Sequence, residues 1–393
     1  MRKKNWLEKF LNFIDKHIRY YQTPVNLSFV YTFGSLLGVC MFLQITSGFF
    51  LSMFYNSDTA NAWLSIEYNI MREINYGWFV RNLHVNVVSF MFFFLYIHLA
   101  KAIYFRSFTR IKLWFSGWAI FLLVMLAAFS GYILVWGQMS LWAATVITNF
   151  FSSVPLIGPQ LVEWIWGGFT VSKPTLIRFF SIHFLSGIIA GFLTILHILV
   201  LHEEGSSNPI GTKSLDNTNF TVFLYKDLFY INLFFFFLSY FVFFRPEYFM
   251  HPANFEKADP YKTPKNIVPE WYFLPYYTIL KSVPYKTPGI IAMFCSIGSL
   301  IILPFIDKNT MIKTPSIRFL WKHLFWFFIF NFIFLGWLGA QPLTDFILTL
   351  SRFSTSAYFF CIFFLIPFVG MLDTKMVIEN EIEKEKEEFE IEK

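Results

Sequence analysis

Charge is scarce in this chain. Only 14% of its 393 residues are Asp, Glu, Lys or Arg, whereas 56% are apolar and 55 are Phe. Soluble globular domains carry roughly a quarter charged residues, so that class is excluded. Cysteine is almost missing as well. Cys40, Cys295 and Cys361 stand singly within apolar runs. This spacing rules out a disulfide framework, a C-x-x-C motif and covalent c-type haem attachment through C-x-x-C-H. Before residue 30 no short apolar core is followed by a small-residue cleavage site. No signal peptide is therefore expected, Met1 is taken as the mature start, and the first apolar span should direct insertion. No nucleic-acid partner is expected.

What the chain has in abundance is apolar sequence in runs of about 20 residues, the length that crosses a lipid bilayer. Eight spans are predicted, near 31–54, 77–105, 113–135, 175–203, 228–246, 288–306, 320–339 and 347–372. The expected fold class is an all-α integral membrane protein. Residues 1–30 form a basic amphipathic segment, 31–212 a four-helix bundle, 213–372 a C-terminal four-span unit and 373–393 a charged tail, either a short solvated helix or disordered. An even span count puts both termini on one side. Arg2, Lys3, Lys4, Lys9, Lys16 and Arg19, the 106–112 loop and the 308–322 loop fall on that side. The positive-inside rule makes it the cytoplasm or its organellar equivalent.

Within this apolar sequence, the second span (RNLHVNVVSFMFFFLYIHLAKA, 81–102) carries His84 and His98, and the fourth (SIHFLSGIIAGFLTILHILV, 181–200) carries His183 and His197. Each pair is separated by 14 residues, almost four helical turns, which places both rings on one helix face with a rise of about 21 Å between them. One helix intervenes, so the two spans run in the same direction, and His84 can face His183 while His98 faces His197. An isolated histidine on an apolar face is usually a hydrogen-bonded packing residue. Four in matched positions are hard to explain that way, because intramembrane ionisable groups are costly and usually functional. Opposed imidazoles with no further ligands suit haem iron better than zinc, whose structural sites take four protein ligands. Two non-covalent b-type haems are the expected cofactors.

A porphyrin between helices needs room. Gly34 and Gly48 on the first span and Gly117 and Gly131 on the third, again 14 apart, are positioned to supply it. Arg81, Arg178 and Lys101 are candidate partners for haem propionates, although snorkelling at helix ends explains such cations about as well. Trp114 completes the cofactor-binding set.

Three further stretches accompany the histidines: FGSLLGVCMFLQITSG (33–48), GYILVWGQMSLWAATVITN (131–149) and VPEWYFLPYYTILKSVP (268–284). From about residue 20 to 372 the chain resembles the mitochondrial and bacterial cytochrome b family, the di-haem core of the cytochrome bc1 complex, respiratory complex III. The equal spacing and the undivided chain resemble that type rather than the split b6f relatives. The resemblance implies a quinol-cytochrome c oxidoreductase running a Q cycle with ubiquinol and ubiquinone as substrates. Its implied partners are a Rieske iron-sulfur protein, cytochrome c1, accessory subunits and a second copy of itself. Its implied location is the mitochondrial inner membrane with both termini in the matrix, or a bacterial plasma membrane.

The resemblance also assigns residues. At the outer quinol site it implies Glu270 as proton acceptor, with Pro269, Trp271, Tyr272, Tyr277, Tyr132 and Ala143 around it and the 138–150 stretch as a surface lid. At the inner quinone site it implies His202, Lys226, Asp227 and Ser35. A carboxyl among apolar and aromatic neighbours is held neutral more readily, which suits a proton acceptor near pH 7. Where the family has Pro before W-G-Q, this chain has Val135, so the end of the third span should be less kinked; LSG at 185–187 lacks the customary Pro of the fourth. Lys101 and Lys281 stand where Arg is common. In WAAT, Ala143 replaces the usual Gly, a change that in this family accompanies insensitivity to strobilurin-type inhibitors.

Two other readings remain open on sequence alone. A di-haem anchor of a respiratory dehydrogenase also pairs intramembrane histidines, but lacks the PEWY loop and a second four-span unit. A proton-coupled transporter should show inverted repeats and broken helices, which are not evident here.

Overall fold

Lipid offers the backbone no hydrogen-bond partners, so every span must satisfy its own peptide groups, and helices result. The computed structural model describes residues 6–210, 216–307, 314, 315 and 318–391. Among these, eight helices are long and apolar enough to cross a membrane. They are α1 (Phe33–Ser52), α2 (Gly77–Tyr104), α3 (Ile111–Leu134), α4 (Lys173–Glu204), α5 (Phe220–Phe244), α6 (Lys286–Ile306), α7 (Phe319–Ala340) and α8, which begins at Asp345. The fold is an all-α membrane protein, as the hydropathy pattern implied. Residues 2–4 and 308–313, part of the predicted basic side, lie outside the described residues.

Two ends differ from the sequence reading for identifiable reasons. Helix α5 begins eight residues before the predicted 228, because its charged pair does not break it: Asp227 is buried and accepts a hydrogen bond from Ser35 Oγ at 2.5 Å. Helix α8 runs on past 372 to Ile391, so the charged tail continues a helix. Its turn widens over Cys361–Leu365 just before Pro367. A wide turn accommodates the missing N–H and the bulky ring that proline brings into a helix. The tail carries an i,i+4 pair, Lys375 to Glu379, at 3.6 Å. Without a proline at 185–187, α4 is continuous over 32 residues, opened by a Ser172/Thr175 capping box with Pro174 in its first turn. The end of α3 still turns sharply, since Trp136 takes a φ of 55° even though Val135 replaces proline.

Helix α1 packs chiefly on α2, and α3 on α4, while α5 lies against α1 and α2. In the C-terminal half, α6, α7 and α8 surround a short helix, Leu274–Ser282, that directly follows the PEWY residues. Tyr272 joins the two halves: its ring stacks on Phe92 at 3.9 Å and 2°, and its carbonyl accepts from the Tyr96 hydroxyl. On the opposite side, Gln22–Pro24 pairs antiparallel with Asn217–Asn219 and fastens the N-terminal segment to the start of α5.

Two ion pairs are buried, one between the α2–α3 connection and the end of α6, the other between the start of α7 and α8. Arg106 Nε donates to Asp307 Oδ2 at 2.5 Å, and Arg318 Nε donates to Asp373 Oδ2 with both side chains essentially inaccessible. Removing one partner strands the other charge, a loss of about 3–5 kcal/mol. Asp373→Ala is therefore expected to lower the thermal midpoint of the purified protein markedly. Replacing Arg318 and Asp373 together by apolar residues should lower it less.

Candidate functional site

One pair of intramembrane histidines comes together across α2 and α4. His84 on α2 and His183 on α4 have ring centroids 6.2 Å apart with planes at 78°. Roughly 2 Å from a metal to each nitrogen, plus roughly 1 Å from nitrogen to ring centre, gives a separation of about 6 Å. The outer pair thus has the separation that would let both imidazoles hold one metal. His98 and His197 are near neighbours deeper along the same helices.

Each of the four glycines backs one of these rings. A Cβ on Gly131 would lie 2.5 Å from His183 Cε1; on Gly48, 3.1 Å from His84; on Gly117, 3.1 Å from His197; on Gly34, 3.5 Å from His98. The glycines therefore make room first for the imidazoles themselves.

Three rings are also oriented through Nδ1. The His183 Nδ1–H donates to the Ala127 carbonyl at 2.7 Å. Ser47 gives its own proton to the Leu43 carbonyl, which frees its oxygen to accept from His84 Nδ1–H at 2.9 Å. Ser116 bonded to Leu113 does the same for His197 at 2.7 Å. A proton held on Nδ1 leaves the Nε2 lone pair free for a metal. These serines were missed in the sequence, although each directly precedes a ring-facing glycine, as Ser47-Gly48 and Ser116-Gly117.

A cavity of about 330 Å³ joins this outer pair to the PEWY loop. It is lined by Gly48, Arg81, His84, Gly131 and His183, and by Tyr132, Glu270 and Tyr272. Among the described residues, Arg81 Nη1 is buried there without a hydrogen-bond partner. A guanidinium nitrogen left unsatisfied beside two metal-ready imidazoles fits a group that brings carboxylates, as haem does. Burial pushes the Glu270 carboxyl up to about 7, and the adjacent Tyr132 side chain partly offsets the shift. Glu270 also borders a second, more open cavity of about 650 Å³ with Pro269 and Trp271, whose indole donates to Ser89 Oγ at 3.2 Å.

Other candidate residues are placed elsewhere. Arg178 is exposed and donates to the Trp164 carbonyl rather than lining the cavity. Trp114 donates to the Leu300 carbonyl at 2.9 Å, which ties α3 to α6. Lys101 stands 4.0 Å over the Tyr31 ring. Tyr277 donates to the Ile267 carbonyl at 3.0 Å and so anchors the approach to Pro269. Ala143 is buried in the helix Gln138–Thr148, outside the walls of both cavities. That helix is packed inward: Asn254 Oδ1 accepts from both the amide and the hydroxyl of Ser140, at 3.0 Å each.

On the inner side, Ser35 and Asp227 are joined, whereas Lys226 donates to the Leu27 carbonyl at 3.1 Å. His202 contacts two residues of the N-terminal segment, His17 and Tyr21.

Known proteins match this chain over most of its length. A family model for cytochrome b/b6/petB matches residues 18–205, and one for cytochrome b(C-terminal)/b6/petD matches 257–359. The curated cytochrome b of Rickettsia prowazekii is 43% identical over 363 residues, 90% of each chain. That of Phytophthora megasperma is 43% identical over 371 residues, 93% of this chain and 96% of the other. A solved structure described as a hyperthermophilic respiratory complex III superposes with a TM-score of 0.86 at 30% identity, covering 94% of this chain and 99% of its own. With matches to both halves and relatives above 40% identity across nine-tenths of its length, the chain belongs to the cytochrome b family.

Proposed function

We propose that this chain is the membrane core of a ubiquinol-cytochrome c reductase, oxidising quinol at an outer site and reducing quinone at an inner one. The observation that carries the proposal is a single cavity in which opposed His84 and His183 share walls with Glu270. In this reading residues 31–212 hold two b haems, with His84 and His183 as outer ligands and His98 and His197 as inner ligands. Residues 213–372 contribute the PEWY loop. The haems, when bound, supply one-electron chemistry across the membrane. Arg81 offers a guanidinium to a haem carboxylate. Glu270 takes a proton from quinol, with Tyr132 beside it and Tyr272 fixing the loop by its stack on Phe92. On the inner side Asp227, oriented by Ser35, and His202 return protons to reduced quinone, with Lys226 at the rim.

A Rieske protein, cytochrome c1 and a second copy of the chain complete the assembly, in a mitochondrial inner membrane or a bacterial plasma membrane. The purified complex should reduce cytochrome c in the presence of quinol and release protons on the outer side. Haem-loaded complex unable to do so would favour the dehydrogenase-anchor alternative.

Ala143 lies outside the walls of both cavities, but it stands where the resemblance has a glycine whose replacement accompanies insensitivity to strobilurin-type inhibitors. Turnover is therefore expected to persist at strobilurin-type inhibitor concentrations that stop relatives with W-G-A-T. Ala143→Gly should sensitise the complex roughly tenfold or more. Inhibition curves of the two forms check this; tight inhibition of the native complex would refute it.

A further inference from the structure

The N-terminal segment brings a second imidazole to His202. His17, in the turn that follows the helix Trp6–Ile14, places its Nδ1 3.3 Å from Nδ1 of His202. The ring centroids are 5.5 Å apart and the planes differ by 12°. The centroid separation exceeds the nitrogen separation by about twice the nitrogen-to-centre radius of an imidazole. Both nitrogens therefore lie on the line joining the rings, in nearly one plane. Two ligands of one metal would instead aim their lone pairs at a common point off that line. The head-on arrangement is that of an N–H facing a lone pair, so one ring carries its proton on Nδ1 and the other does not.

Contacts on the His202 side hold this dyad in place. The Tyr21 ring covers one face of His202, at 4.0 Å and 23°, and its hydroxyl donates to the Leu201 carbonyl at 3.4 Å. The Phe220 amide donates to the Tyr21 carbonyl at 2.8 Å, in register with the short ladder to Asn217–Asn219. His17 and His202 are each only partly buried, so part of each ring is open to solvent.

We propose that His17 is the outer member of a two-imidazole relay that feeds protons to the inner quinone site through His202. The relay rests on the reading that His202 serves that site. His17 takes a proton from water at Nε2 and releases its Nδ1 proton to Nδ1 of His202. His202 then gives its Nε2 proton to an oxygen of the quinone, whose electrons arrive by the inner-haem route already proposed. Each passage moves one proton from water to quinone, and tautomer exchange through water resets the pair.

The test uses the assembled complex with its outer site blocked by an outer-site inhibitor, so that reduction of the inner haem by added quinol reports the inner site alone. By microscopic reversibility the same relay carries protons in that direction. His17→Gln keeps an amide donor toward His202 but cannot pass a proton. Both His17→Gln and His17→Ala are expected to slow the reaction about tenfold, with an unchanged KM for quinol and a larger solvent deuterium effect. Added imidazole should restore the rate in His17→Ala. A native rate in His17→Gln, or slowing without imidazole rescue, would show mere support of His202 and overturn the relay. His202→Gln separates the two claims. If it leaves the rate unchanged, the inner-site assignment fails; if it alone slows the reaction, only the relay fails.

Discussion

Gly131→Ala should strip the outer haem from this chain, whereas Gly34→Ala should leave both haems bound. The contrast follows from where the new methyl group lands. On Gly131 it would lie 2.5 Å from Cε1 and 2.8 Å from Nδ1 of His183, closer than real Cβ contacts come. The ring cannot retreat freely, because its Nδ1 is bonded to the Ala127 carbonyl on the facing helix. Overpacking of this kind costs typically 1–3 kcal/mol, which weakens retention of a bound group roughly tenfold to a hundredfold. On Gly34 the methyl group would stand 3.5 Å from His98, an ordinary contact. Gly48 and Gly117, at 3.1 Å each, should fall between. Haem content per chain, with the reduced-minus-oxidised spectrum of each variant, measures the series. Full haem content in Gly131→Ala with an unshifted spectrum would contradict it.

The second large effect concerns Glu270. Only its ionised form can accept a proton from quinol. With its carboxyl pushed up to about 7 by burial, quinol oxidation should rise with pH and level off above that value. An unperturbed carboxyl would place the rise near its ordinary 4.5. Glu270→Gln removes the acceptor and is expected to lower the rate roughly a hundredfold and to abolish this limb of the profile. The pH dependence of quinol-driven cytochrome c reduction, native against variant, is the measurement. A variant that kept both rate and profile would show that another group takes the proton.

Much of this architecture was legible because the membrane simplifies the code. Long apolar runs located the spans, and one repeated interval of 14 residues tied histidines on α2 and α4 to glycines on α1 and α3. The same simplicity hid what depends on polar partners. Hydropathy stopped α5 at Lys226-Asp227, yet the helix continues because Ser35 satisfies the buried aspartate. Arg178 looked like a partner for the outer haem, but it turns to the Trp164 carbonyl, because position along a helix does not fix where a long side chain points. Tyr277 looked like part of a pocket wall and instead anchors the chain before Pro269. His17 drew no notice, since nothing local marks a residue whose partner is 185 positions away.

In the proposed function one chain holds two b-type haems, each between α2 and α4. An anaerobic redox titration of the purified complex, with haem counted per cytochrome b chain, tests it most directly. Two b-type components per chain are expected, with His183→Ala losing the outer one. One haem per chain, or no b-type absorbance, would contradict the account.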